Sequence, residues 1–164
     1  MDERRNYRMV DVGDKAITRR RAVATGRIVL GPVAFGQVRD GTLPKGDALR
    51  LAEVAGIMAA KKCVDLIPLC HPLGLDQVLV SFVPDEAAQA VAVYCLAVTS
   101  AKTGVEMEAL AGVNGALLTI WDLAKQVEPA LEIDRVRLVL KEGGKSGRWV
   151  HPDGLDGVPE SFHE

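Results

Sequence analysis

Aromatic side chains make up only 4% of the 164 residues, too few to supply rows of stacking platforms for single-stranded nucleic acid. Charge of one sign is not in excess: 20 Lys+Arg stand against 22 Asp+Glu, a formal net charge of −2. That balance excludes a protein whose main task is coating nucleic acid and leaves room for a local basic pocket. Long hydrophobic runs are missing as well. The longest stretch free of charged residues is the 15 positions from Ala87 to Ala101, short of the roughly 20 that cross a bilayer. Met1-Asp2-Glu3-Arg4-Arg5 leads into no apolar segment of a secretory signal. Neither a nucleic acid nor a membrane is expected as a partner. Cysteine is sparse, and Cys63, Cys70 and Cys95 are an odd number at irregular spacing. They form no disulfide framework or zinc ribbon and point to a reducing cytoplasm. What is present, 48% hydrophobic and 26% charged residues, is the composition of one globular domain with a real core.

Residues 1–8 are charged and poor in apolar side chains, and are expected as a flexible arm. From Lys141 to Glu164 there are five glycines and two prolines, so 141–164 is expected as a Gly-rich mobile tail. The body, 9–140, is then expected as a single domain. Within it, 22–30 is rich in β-branched and small residues and is expected as a strand closed by Gly31-Pro32. Asp47 is placed to cap a helix over 48–62 that ends on Lys61 and Lys62, where cations suit the negative end of the dipole. Strands are expected at 77–83 and 90–99, and a last one at 133–140. Thr103-Gly104-Val105-Glu106 has the spacing of a capping box, which predicts a long helix to about Val127, stopped by Pro129. Strand, helix, strand, strand, helix, strand is an α+β order. It predicts a ferredoxin-like subunit: an antiparallel sheet with two main helices on one face.

Three places carry candidate chemistry. In Leu66-Ile67-Pro68-Leu69-Cys70-His71-Pro72-Leu73, a Cys and a His lie side by side between two backbone-fixing prolines. A rigid apolar loop explains this without function; the functional alternative makes His71 a proton carrier or anion donor. Cys63, Cys70 and His71 lack a fourth zinc ligand and a common ligand spacing, and no metal is expected. Asp122 and Lys125, three apart, share one helix face. An exposed ion pair is the plain explanation, but the apolar run Leu117 to Trp121 before them predicts partial burial, where the pair can act as coupled acid and base. At the other helix end, Glu106 has its capping role, while Glu108 has none. Glu108 and Asp122 are 14 positions apart, returning to nearly the same side but separated by roughly 21 Å along the axis. One small substrate cannot reach both in one chain, so a site using both ends combines two subunits. Of the basic residues, Lys45 and Lys61 are expected beside the His71 loop, where they suit phosphate groups. Arg19 and Arg21 are expected as solvated surface charge. Gly143-Gly144-Lys145-Ser146-Gly147 lacks the spacing of an NTPase phosphate loop and precedes no helix.

These motifs together resemble the cyclic pyranopterin monophosphate synthase family, the C protein of molybdenum cofactor biosynthesis. The resemblance is carried by Met9-Val10-Asp11-Val12, Lys45-Gly46-Asp47, Ala55 to Lys62, Leu66 to Leu73, Thr103 to Leu110 and Gly143 to Gly147, in order along the chain. It implies a lyase converting 3′,8-cyclo-7,8-dihydroguanosine 5′-triphosphate to cyclic pyranopterin monophosphate with release of pyrophosphate. It further implies a homohexamer, a trimer of dimers with active sites at the dimer interface, and no redox cofactor; whether Mg²⁺ accompanies the triphosphate is left open. Carried over by position, Asp122 and Lys125 are the catalytic pair, although Trp121-Asp122-Leu123-Ala124-Lys125 stands where Tyr-Asp-Met-Cys-Lys is usual. Leu69, Cys70 and His71 match the substrate-binding loop, Met107 and Glu108 a second contact, and Glu106, Lys45, Lys61 and Arg20 line the pocket. Two rivals use the same residues differently: an oligomeric binding module for a phosphorylated pterin or nucleotide, and a metal-assisted hydrolase built on Cys70, His71 and Glu108.

Overall fold

The computed structural model describes residues 7–163; most of the expected N-terminal arm, residues 1–6, lies outside them. Five strands form one antiparallel sheet: β1 (Thr18–Val29), β2 (Gln77–Asp85), β3 (Ala90–Ala101), β4 (Glu132–Glu142) and the two-residue β5 (Trp149–Val150), in the order β2-β3-β1-β4-β5. β1 pairs with β3 and β4, and its apolar residues serve two layers. Ala22, Ala24 and Ile28 face the helices, while Val23 faces the opposite side. The first four strands with α2 (Ala48–Lys61) and α4 (Glu106–Ala124) make the expected ferredoxin-like α+β fold.

Asp47 caps α2 as its position predicts: its Oδ1 accepts from the amides of Leu49, at 3.1 Å, and Arg50, at 3.2 Å. α2 and α4 lie close enough that glycine is required between them. A Cβ on Gly56 would stand 2.9 Å from the carbonyl oxygen of Gly112, and one on Gly115 would stand 2.5 Å from the Cβ of Ala59. This approach seats Leu117, Ile120 and Val113 fully in the core, each large side chain worth roughly 1.5–3 kcal/mol of transfer free energy.

Three expectations change. Gly31-Pro32 opens a helix, α1 (Gly31–Asp40), instead of merely ending a strand: Pro32 sits in the first turn, where its missing N–H costs nothing, and Gly41 at φ 67° closes the far end. The Thr103 capping box does not form. The N-cap is Val105 without a side-chain bond, and Glu106 turns to Lys141 instead. The stretch 141–164, expected as a mobile tail, begins inside β4 and lays Val158 and Phe162 against Val23, Tyr94, Leu96 and Val98 on the sheet face away from the helices. A one-turn helix, α3 (Cys63–Leu66), joins α2 to the Pro68–Pro72 loop. Among the described residues no helix is long and apolar enough to cross a membrane.

Candidate active site

The loop after α3 and the N-terminal end of α4 enclose a cavity of 410 Å³ whose walls include Leu69, Cys70, His71, Glu106, Met107 and Glu108. Six of the expected contacts are therefore brought together. The loop is pinned at its exit, where Thr99 Oγ1 donates to the Gly74 carbonyl at 2.5 Å and the Asp76 amide to Val98 at 2.8 Å. Lys61 stands behind it, lining a neighbouring 300 Å³ cavity with Cys63, His71 and Glu108.

Glu108 is the buried acid between these two cavities, only 5% exposed. Desolvation raises its carboxyl above the ordinary range, the Glu106 charge adds to this, and a bond from its own backbone amide offsets part. A raised folded-state value stabilises the protein below the ordinary carboxyl range, and that contribution is lost as pH rises through the raised value. Glu108→Gln is therefore expected to flatten the pH dependence of urea unfolding. The native protein should lose ground to the variant from acid towards neutral pH; parallel profiles would contradict this account.

Cys63 and Cys70 touch. Burial, with the Glu108 charge secondary, pushes the Cys63 thiol up to about 12, and burial also raises Cys70. A raised thiol is a poorer source of thiolate, which counts against Cys70 as a nucleophile. Among the described residues no group of three or more His, Cys, Asp and Glu is placed to hold a metal ion.

A second, basic cavity of 140 Å³ opens from the first, sharing Lys15, Thr103, Gly104 and Glu106 with it. Arg20 lines it as expected, together with Lys102, Lys141 and Ser146. Lys141 Nζ lies 3.2 Å from Glu106 Oε1. Sequence reasoning missed Lys15, Lys102 and Lys141. Lys141 fell beyond the boundary drawn at 140, although strand alternation on β4 gave no reason to stop there. The strap before β1 was missed too: the His71 ring Nε2 is 2.7 Å from the Val10 carbonyl, and Lys102 donates to that of Gly13 at 2.5 Å.

The Asp122–Lys125 pair is at the opposite end of α4. Lys125 Nζ is 2.7 Å from Asp122 Oδ1, and Lys45 Nζ is 2.9 Å from Oδ2. Two expectations are corrected here. Lys45 is not beside the His71 loop, because the whole of α2 separates it from Lys61. Nor is the pair expected to be catalytic buried within one chain: Asp122 is 52% and Lys125 50% exposed. The apolar run before them divides by helical period, Leu117 and Ile120 facing the core while Leu118 points out with Asp122 and Lys125. Hydrogen bonds from Lys125 and then Lys45 hold the Asp122 carboxyl below the usual carboxylate range.

Residues 9–144, which include both ends of α4 and all of the basic cavity's lining but Ser146 and Gly147, match the MoaC family. The chain belongs to that family. It is 51% identical over 152 residues to a cyclic pyranopterin monophosphate synthase of Chloroflexus aurantiacus, covering 93% of each chain. A synthase of the same name from Jannaschia sp. is 50% identical over 146 residues, 89% of this chain and 90% of that one. A molybdenum cofactor biosynthesis bifunctional protein of Synechococcus elongatus is 49% identical over 144 residues, 88% of this chain and 45% of that longer protein. The family match ends at Gly144, so the segment laid across the outer sheet face lies beyond it.

Proposed function

We propose that this member of the MoaC family is a cyclic pyranopterin monophosphate synthase in molybdenum cofactor biosynthesis. It takes the cyclised dihydroguanosine triphosphate and releases cyclic pyranopterin monophosphate and pyrophosphate. The observation that carries the reading is the junction of two cavities. One is large enough for a bicyclic base and walled mainly by apolar side chains with His71, Glu106, Glu108 and Lys15; it opens directly into one lined by Lys15, Arg20, Arg21, Lys102 and Lys141 against only Glu106 and Glu142. A neutral heterocycle with a polyphosphate tail has that same division of polarity.

Ring opening and reclosure move protons between nitrogen, carbon and oxygen. Lys125, fixed by Asp122, is the proton carrier, and Lys45 holds the second carboxylate oxygen so that the pair keeps one geometry. Closing the cyclic phosphate forms one P–O bond and breaks another, and the negative charge gathers on departing pyrophosphate, which the basic cavity stabilises. The rearrangement moves no net electrons, so the reading calls for no redox cofactor.

The two ends of α4 meet only if a second copy supplies one of them. Met107, Ala111, Asn114, Leu118, Asp122 and Lys125 form one stripe along the outer side of α4. Leu118, Leu51, Val54 and Met58 are left exposed around it on α4 and α2, and such an apolar patch is what a copy of this chain would cover. Antiparallel packing of two stripes sets the partner's Lys125 near the cavity of the first copy and dries the pair. The assembly is read as a homo-oligomer with interface sites, and the sequence resemblance supports a hexamer of three dimers. Incubating purified protein with the cyclic triphosphate should yield one pyrophosphate per substrate consumed. Substrate bound and left intact would establish the binding module instead.

A further inference from the structure

Arg21, expected on the surface, is only 5% exposed, a depth at which a guanidinium needs partners for its donors. They come from two distant parts of the chain. Nη1 lies 3.1 Å from Glu142 Oε2, and Nη2 donates to the backbone carbonyl of Phe162. Phe162, at the end of a 3₁₀ turn (Glu160–Phe162), is buried against the outer sheet face beside Val158. The other oxygen of Glu142 is 2.8 Å from Arg148. Glu142 ends β4 and leads into Gly143–Gly147, which borders the basic cavity. Arg20 lies on that loop: its Nη1 is 3.3 Å from the Gly143 carbonyl, and a Cβ on Gly144 (φ 71°) would strike the guanidinium.

We propose that the C-terminal turn and Arg21 form a clamp that positions the phosphate-binding part of the site. The tail fixes Arg21, Arg21 fixes Glu142, and Glu142 sets the glycine loop that supports Arg20. The clamp also neutralises Glu142, which itself borders the cavity. Without Arg21, that carboxylate would confront the polyphosphate with one cation fewer beside it. Arg21 borders the cavity too, but its Nη1 and Nη2 are engaged by Glu142 and the Phe162 carbonyl, so with Phe162 it is a positioning residue for phosphate capture, acting through the loop. The inference rests on the reading that the basic cavity takes the substrate's phosphates.

The test compares Arg21→Gln, Arg21→Lys and Phe162→Ala with two controls: Arg20→Gln, which probes the cavity itself, and Leu155→Ala, which trims the same outer cluster away from Arg21. The readouts are KM, kcat and the inhibition constant of inorganic pyrophosphate. Arg21→Gln should raise KM and the pyrophosphate constant together by about tenfold, with kcat within about twofold. Arg21→Lys should recover part of the loss. Phe162→Ala should raise both constants about threefold, and Leu155→Ala should leave both unchanged. If Arg21→Gln fails to fold, the contrast between Phe162→Ala and Leu155→Ala carries the test. Native constants in the Arg21 and Phe162 variants, while Arg20→Gln weakens both, would overturn the clamp and keep the cavity reading. So would a fall in kcat and melting temperature with KM unmoved. Native constants in Arg20→Gln as well would remove the cavity reading and the clamp with it.

Discussion

Alanine at position 125 is expected to leave a folded protein that binds substrate and turns over about a thousandfold more slowly, since positioned acid–base groups are worth about 10²–10⁴. Lys125 follows the last turn of α4 and is half-exposed, and its ammonium pairs with the Asp122 carboxylate. Removing it takes nothing from the core, so unfolding free energy should change by no more than about 0.5 kcal/mol. The loss should fall equally on kcat and kcat/KM, the mark of a contact made in the transition state. Asp122→Asn separates the two members of the pair. The native carboxyl is held ionised by Lys125 and Lys45 across the neutral range, so it orients the ammonium and does not itself carry the proton. The amide should cost less than loss of the lysine. Pyrophosphate release gives the rates and calorimetry the affinity; near-native turnover in Lys125→Ala would end the assignment.

The layers of this fold are legible in the sequence where apolar period and punctuation agree. The alternation of 77–83 and 90–99 and the Asp47 cap mark β2, β3 and the start of α2 to within a few residues. α1 escaped because Gly31-Pro32 signals a strand end and a helix start alike, and its ten residues bury only Ala34, Phe35 and Val38. The capping box escaped for a tertiary reason: Glu106 finds Lys141, 35 positions away, a stronger partner than its own backbone. For the site, the Leu69–His71 loop lines one cavity with Met107 and Glu108, a grouping that the family resemblance implied and that spacing along the chain did not. Arg20, Lys15 and Lys141 converge through strand register and a long strap, which spacing does not encode. Lys45 is different. The fourteen residues of α2 put it roughly 20 Å from Lys61, so the helix already recognised in the sequence was enough to separate them.

Two inactive variants are expected to make an active enzyme when combined. His71→Ala disables the cavity at one end of α4, and Lys125→Ala the proton carrier at the other. The intervening helix keeps those ends apart within every chain. In a two-fold dimer each site draws one end from each copy, so a mixed dimer gathers both substitutions into one site and leaves the other native. Random pairing of equal amounts makes half the dimers mixed, each with one of two sites intact, which restores about a quarter of native activity from two nearly dead parents. Co-expression with distinguishable tags and purification through both removes the hexamers made of one parent alone, and what remains should keep about a quarter of native activity. The result depends on geometry alone, since no contact is created that the native enzyme lacks. If the doubly tagged species is as inactive as its parents, each chain must complete its own site, and Lys125 must act without the cavity that holds Glu108 and His71.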